Sequence, residues 1–254
     1  MIGRRSYRAL AKGIIACFSP SLLAAIQARR GRRLIHKLAH ERGTAAKARQ
    51  LGENYHDTIC GGPFAGLMLP RSVYRQDVST LLTGEYEAEL HPFIVRLAAI
   101  SFTTVIDIGA SIGYYAVGLA RIFPNAQVIA FEADPWSRSV MREFASINAI
   151  SNLKVFGTCT PPRLRTACAS VPTLLLCDCE GGEIYLLTPA RVSGLSTATM
   201  IVETHDHLVT NSSAVLAARF AHSHTIEMIH QEMPDQERHP YQTWMMLTPN
   251  QAGG

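Results

Sequence analysis

Residues 105–120 read VIDIGASIGYYAVGLA, and this stretch decides the fold. A buried apolar run carries Asp107 near its end, turns through Gly109 and Gly113, and enters a helix. Backbone amides and a helix start then face whatever lies at the strand's carboxyl end, where open α/β sheets bind ligands. A nucleotide-like ligand is implied. Gly109 is read as letting that ligand approach the backbone, and Gly113 as letting the helix pack tightly on the strand. Asp107 sets a carboxylate beside the approach, which suits a cationic amine better than a pyrophosphate. The G-x-G-x-x-G dinucleotide pattern is met only in part, because Ser111 stands where the second glycine belongs.

Immediately downstream, VIAFEAD (128–134) ends a second strand in Glu132, 23 residues after Gly109. A carboxylate there accepts two hydrogen bonds from ribose hydroxyls. Asp134 is placed to cap the next helix and Pro135 to begin it, with Trp136, Val140, Phe144 and Ile147 as its apolar stripe. Farther out, β-rich runs alternate with helical patterns: Thr104–Ile108, Gln127–Glu132, Leu153–Gly157, Thr173–Cys179, Thr199–Thr204, Thr225–Ile229 and Thr243–Leu247. Seven strands covered by helices on both faces are the expected α/β architecture. A helix after Asn211 should turn Val215, Leu216 and Phe220 inward, and Glu85–Ala99 reads as a helix kinked at Pro92.

Two strand ends gather acids and imidazoles. Asp178 and Glu180 stand two apart at the end of the fourth run, Glu183 begins the following helix, and Glu203, His205 and His207 alternate at the end of the fifth. His205 is the first choice of general base, by its near-neutral titration. A divalent metal on the same carboxylates and imidazole is the other job open to them, although no residue is assigned to a metal. Glu183 as a helix cap, His207 in solvent, and His222 and His224 at the surface are the plainer readings. Cys177 and Cys179 share a face at a spacing poor for a disulfide, and reduced thiols are expected.

The D-x-G-A-x-x-G loop followed by F-E-A-D-P resembles class I S-adenosylmethionine-dependent methyltransferases. LLLCDCEGGEIYLL (174–187) and MIVETHDH (200–207) look like the D-x-E-G-x-E and E-x-H signatures of the FkbM-like family, and TGEYEAEL (83–90) resembles its G-x-Y-E segment. The resemblance covers about Leu81 to Thr248. It implies a Rossmann-like seven-stranded sheet whose last strand is antiparallel. It also implies a cofactor site formed by Asp107, Gly109, Ala110 and Gly113, with Glu132 on the ribose, Asp134 or Pro135 bordering the adenine and Glu87 near the amino-acid end. Asp178, Glu180 and His205 are then the catalytic residues, and O-methylation of a sugar, glycan or secondary metabolite is the expected activity. The sequence departs from the family after strand three, where Gly157-Thr158-Cys159 offers no acid, and only Thr158 to Val171 precede the D-x-E-G-x-E segment.

Charge divides the chain at about residue 50. Twelve of its 24 Lys and Arg lie in residues 1–50 beside one acid, Glu41, so that segment carries +11 and the remainder −7. With 47% hydrophobic and 17% charged residues among 254, the chain can bury a large core and is neither disordered nor fibrous. The expected organisation is a basic amphipathic helical extension, 1–50, and a Rossmann-like methyltransferase domain, 51–254. Leu22, Leu23, Ile26, Leu34, Ile35 and Leu38 recur at helical spacing between Arg and Lys. Such a helix packs on its own domain, lies on an anionic membrane or holds RNA. An RNA methyltransferase using this arm, or a non-catalytic cofactor-binding protein at a membrane, are the alternatives to a small-molecule enzyme. Lys12, Ser19-Pro20-Ser21 and Gln27 interrupt the apolar stretch Leu10–Ala28, and no good cleavage site follows it. A cytoplasmic protein, at most peripheral to the membrane, is therefore expected.

Overall fold

The structure, a computed structural model, describes residues 20–75, 78–169, 171–230 and 242–250. Part of the Leu10–Ala28 stretch, with Cys17, lies outside the described residues, as do the side chains of Leu22, Leu23 and Ile26. Seven strands form one sheet: β1 Thr104–Ile108, β2 Gln127–Phe131, β3 Leu153–Phe156, β4 Thr173–Cys177, β5 Thr199–His205, β6 His224–His230 and β7 Gln242–Pro249. Their spatial order is β3-β2-β1-β4-β5-β7-β6. The first five are parallel, and β7 runs antiparallel between β5 and β6. Every expected strand is present, with ends that differ by at most two residues.

Alternation along the strands builds two cores. Val105, Val128, Leu174, Leu176, Ile201 and Trp244 face one side, whereas Ile106, Ile108, Leu175, Cys177, Met200 and Met245 face the other. Because side chains repeat every two residues, Asp107 follows Val105, Asp178 follows Leu176, and Glu203 and His205 follow Ile201 onto the first face. Helix α5 (Tyr114–Ile122) covers that face with the segment preceding the sheet, where Phe64 packs edge-on against Tyr114 at 5.0 Å and Tyr115 at 5.8 Å. Helix α6 (Pro135–Ile147) is capped by Asp134, whose carboxylate accepts the Ser137 N–H, and begins with Pro135 as expected. Its buried face is Val140, Met141 and Phe144, while Ile147 is exposed. Met141 takes the inward place because it packs where a Cβ on Gly113 would lie.

The chain before the sheet is largely helical. Helices α1 (Pro20–Glu41) and α2 (Thr44–Asn54) pack on each other, and α2 runs through residue 50 with Ala45, Ala48 and Gly52 buried. Two short helices follow, α3 (Ser79–Thr83) and α4 (His91–Leu97). The second starts after a 3₁₀ turn at Ala88–Leu90, so Pro92 sits in its first turn and the expected kinked helix over Glu85–Ala99 is not formed. Helices α7 (Pro161–Ala167), α8 (Glu183–Leu186) and α9 (Ser212–Phe220) complete the second face. In α9 Leu216 and Phe220 are buried, but Val215 is exposed. His224 is also corrected: it is buried, with Nε2 2.9 Å from the Ala198 carbonyl and Nδ1 2.8 Å from the Ser223 hydroxyl. Among the described residues no helix is long and apolar enough to cross a membrane.

Candidate functional site

The β1–α5 loop is built by backbone pairing. The N–H groups of Gly109 and Ala110 both donate to the Phe131 carbonyl, at 2.9 and 3.1 Å, tying the loop to the end of β2. Gly109 has φ +85°, and a Cβ there would collide with the Asp178 carbonyl. The reason for this glycine is therefore the close passage of the chain leaving β4, whose Asp178 N–H donates to the Ile108 carbonyl at 2.9 Å. Gly113, with φ +94°, makes room for Met141 of α6, which corrects the expected helix-on-strand contact. Ser111 itself adopts φ +47° and donates its N–H to Glu132 Oε2 at 2.9 Å.

Glu132 thus braces two loops, since its Oε1 accepts the Asp134 N–H at 2.6 Å. Burial raises its pKa to about 7 despite the Ser111 bond and the nearby Arg138 charge. Each carboxylate oxygen has a second lone pair, so these bonds leave capacity for hydroxyl donors. Asp134 is differently committed: its buried side chain caps α6 and forms an ion pair with Arg32 of α1. Arg32 also lies over the Trp136 ring, 5.0 Å from its centroid, so the arm helix closes this end of the site.

Four carboxylates then line the first face. Asp107 is buried, its Oδ2 has no hydrogen-bond partner, and burial followed by the charges of Asp178 and Glu132 holds its pKa well above the usual carboxylate range. Glu87 arrives from before the sheet in a left-handed conformation, φ +46°, and accepts the Tyr115 hydroxyl at 2.6 Å. Burial raises its pKa to about 7, with two tyrosine hydroxyls opposing the shift. Asp178 and Glu203 bring carboxylate oxygens within 4.8 Å of each other, and burial with mutual repulsion raises both pKa values and favours a proton held between them.

His205 sits at the end of β5 among four carboxylates. Its Nε2 is 3.5 Å from Asp178 Oδ1, 3.5 Å from Glu203 Oε2 and 3.8 Å from Glu180 Oε2, while Nδ1 is 3.2 Å from Glu183 Oε1. Burial opposes the imidazolium charge, but Glu183 and then Asp178 outweigh it and raise the His205 pKa. Glu183 is fully buried and anchored by the Cys179 N–H at 2.9 Å. Burial works against its charge too, but His205 and the backbone hold its pKa below the ordinary value. The sequence reading as a helix cap missed this role. Glu180 is mostly exposed, with φ +57°, and His207 is exposed with its ring 5.8 Å from that of His205. Cys177 and Cys179 are free thiols with Sγ atoms 3.7 Å apart, on the opposite side of Asp178.

Asp107, Asp178, Glu203 and His205 are thus brought together with Glu87 over one sheet face, Glu132 stands at the next strand end, and Asp134 is turned toward the arm. The donor set has room for a cation. One oxygen each of Asp178 and Glu203 and one His205 ring nitrogen lie within 4.8 Å of one another, and the two 3.5 Å nitrogen–oxygen spacings are close to the edge length of a four-coordinate site, about 3.4 Å for bonds of about 2.1 Å.

No family model matches the chain, and no curated protein sequence does. Solved structures do match. A candidate rRNA methylase from Clostridium thermocellum aligns with a TM-score of 0.51 at 10% identity, over 65% of this chain and 97% of its own. An rRNA methylase from Streptococcus thermophilus gives 0.49 at 14%, over 64% and 97%. A candidate O-methyltransferase from Klebsiella pneumoniae gives 0.48 at 14%, over 86% and 96%. At 10% identity the likeness to the first of these shows the fold alone, a Rossmann-like α/β sheet of the kind found in methyltransferases.

Proposed function

We propose that this chain is an S-adenosylmethionine-dependent methyltransferase of the FkbM-like kind, acting on a hydroxyl of a sugar, a glycan or a secondary metabolite. The observation that carries the reading is the row of carboxylates Glu87, Asp107, Asp178 and Glu203, of which Asp107 and Glu203 are buried and Glu87 and Asp178 half-buried, with no Lys or Arg salt bridge to any of them among the described residues. S-adenosylmethionine carries an ammonium and a sulfonium, and the unpartnered Asp107 Oδ2 fits the former. Glu132 would take the ribose hydroxyls, and Gly109, Ala110 and Gly113 form the loop around the cofactor's middle. Asp134 borders the adenine end through its backbone, because its carboxylate belongs to Arg32 and Ser137.

When bound, the cofactor supplies a methyl group on positively charged sulfur, open to in-line displacement. The chain's part is to align and desolvate the acceptor. Glu183 holds the His205 ring by Nδ1 and leaves Nε2 toward the strand ends. From there His205 would remove the acceptor hydroxyl proton, while Asp178 and Glu180 orient the hydroxyl. Tyr86, Tyr114 and Tyr115 form an aromatic wall that keeps water from Glu87.

Calorimetry with S-adenosylmethionine tests the cofactor claim. Wild-type protein should bind and Asp107→Asn should bind at least about tenfold more weakly; an intact protein that shows no binding ends the reading. For the base, His205→Ala should keep cofactor affinity yet lose transfer of labelled methyl groups into extracts of cells lacking the protein. A fully active His205→Ala variant refutes that role.

The spacing around His205 Nε2 favours a second reading, in which Asp178, Glu203 and His205 hold a divalent cation that lowers the acceptor's pKa. Titration with Mn²⁺ alone, followed by electron paramagnetic resonance, should then show a bound ion in wild type and none in His205→Ala. A spectrum of free Mn²⁺ in both rejects it.

A further inference from the structure

Helix α1 has three distinct faces. One meets the body of the protein: Ala39 is buried, Arg32 pairs with Asp134, and the His36 ring stands edge-on to Trp136 at 5.3 Å. A second carries Leu34, Ile35 and Leu38, which are 57%, 51% and 38% exposed. The third carries Arg30, Arg33 and Lys37, all exposed. At about 100° per residue, Leu34, Leu38 and Ile35 fall in one sector of about 100°, with Arg30 and Lys37 along its edge beside Glu41, whose carboxylate is 3.7 Å from Lys37. A single exposed leucine needs no explanation, but three adjoining apolar side chains rimmed by cations do.

We propose that this outward face of α1 lies on an anionic lipid bilayer, with Leu34, Ile35 and Leu38 in the acyl boundary and Arg30, Arg33 and Lys37 among the headgroups. The charge distribution selects this occupant. Residues 1–50 carry +11 and the rest −7, so an anionic surface attracts the arm, repels the body and orients the molecule. A nucleic acid would use the cations but leave the apolar sector without a role. A second copy of the chain would set one +11 segment against another. The apolar and basic faces are also separate from the face that holds Asp134 and Trp136, so docking requires no release of α1 from the domain. The inference does not rest on the proposed chemistry.

Co-sedimentation of the full chain with phosphatidylcholine vesicles, with and without phosphatidylserine, tests it. Binding is expected only to the anionic vesicles. The triple variant Arg30→Gln, Arg33→Gln, Lys37→Gln should bind about a hundredfold more weakly, at about fivefold per charge removed. Leu34→Ser, Ile35→Ser, Leu38→Ser keeps every charge and should still lose at least about tenfold, because the apolar contact is gone. Wild type that ignores anionic vesicles overturns the proposal, as does an apolar variant that binds them like wild type. Binding to single-stranded RNA without vesicle binding, or a dimer that the apolar variant dissociates while vesicles stay unbound, overturns it equally.

Discussion

Replacing Glu183 by glutamine removes a charge from the interior while keeping shape. Glu183 is fully buried, holds the Cys179 N–H at 2.9 Å and stands 3.2 Å from His205 Nδ1. The amide oxygen of Glu183→Gln still accepts from Cys179, so the difference between the two proteins is mainly the attraction to the imidazolium. Two unit charges at 3.2 Å attract by about 5 kcal/mol at an effective dielectric of about 20. Removing one partner of a buried pair typically costs about 3–5 kcal/mol, and the lower end, about 3 kcal/mol, applies here. His205 can shed its proton, and Asp178 and Glu180 still face its Nε2 at 3.5 and 3.8 Å.

The pH dependence follows from the two directions. Glu183 is held below its ordinary 4.5, so its contribution is present above that value and is lost as pH falls through the depressed pKa. His205 is raised above 6.5, so its contribution is present below 6.5 and is lost as pH rises through the raised pKa. The stability gap between wild type and Glu183→Gln should therefore be widest between pH 4.5 and 6.5 and narrow on both sides. Urea denaturation across this range measures the gap, and proton NMR of the imidazole should find the His205 pKa lowered in the variant. A gap under about 0.5 kcal/mol throughout, with His205 titrating as in wild type, refutes the pairing as the cause of the shift.

Gly109→Ala would set a Cβ on the Asp178 carbonyl at φ +85°, and a loss of more than about 3 kcal/mol in urea denaturation is expected; wild-type stability would contradict the backbone approach. Arg32→Ala should cost about 1–2 kcal/mol and make α1 the first site of limited proteolysis, because Asp134 keeps only Ser137 and Trp136 only the His36 ring; unchanged cleavage would mean that the arm is held elsewhere. Because Glu132 has its pKa raised to about 7 and its ionised form is the stronger acceptor for ribose hydroxyls, affinity for S-adenosylmethionine should rise as pH passes upward through 7. A flat calorimetric profile there would remove Glu132 from the cofactor site.

The strands are legible in the sequence because their information is local: each is a short apolar run, and its parity pairs Asp178 with Glu180 and Glu203 with His205, whereas the face that Asp107, Asp178, Glu203 and His205 share is fixed by the register between strands. The strand-end position of the acids follows from the same pattern. What the sequence conceals depends on distant partners. Arg32 and Asp134 are 102 residues apart, and nothing near Arg32 marks it as a residue that reaches the start of α6. Glu183 looks like any acid in a first helical turn until His205 of the neighbouring strand stands beside it. His224 reads as a surface residue because it is polar, yet the Ala198 carbonyl and the Ser223 hydroxyl satisfy both ring nitrogens and allow burial. The sequence marks Gly109 as necessary but points to the wrong neighbour, since a glycine in a loop announces close approach without saying what approaches.

The direction of the shifts bears on what the site is for. In a network built only for stability, acids are paired with Lys or Arg, which lowers their pKa. Here the arginines that form salt bridges among the described residues serve Asp134, Asp57 and Glu227, away from Glu87, Asp107, Asp178 and Glu203. Those four are raised together, burial being the first cause for each. Such a group destabilises the protein whenever it is ionised, and protons relieve it only in part, since Asp107 Oδ2 and Asp178 Oδ1 still lack hydrogen bonds. A cationic ligand offsets the same repulsion and supplies the missing donors, and its arrival must displace protons from the acids that it neutralises. The arrangement therefore favours a binding site for positive charge over a structural ion network, whatever acceptor that site serves.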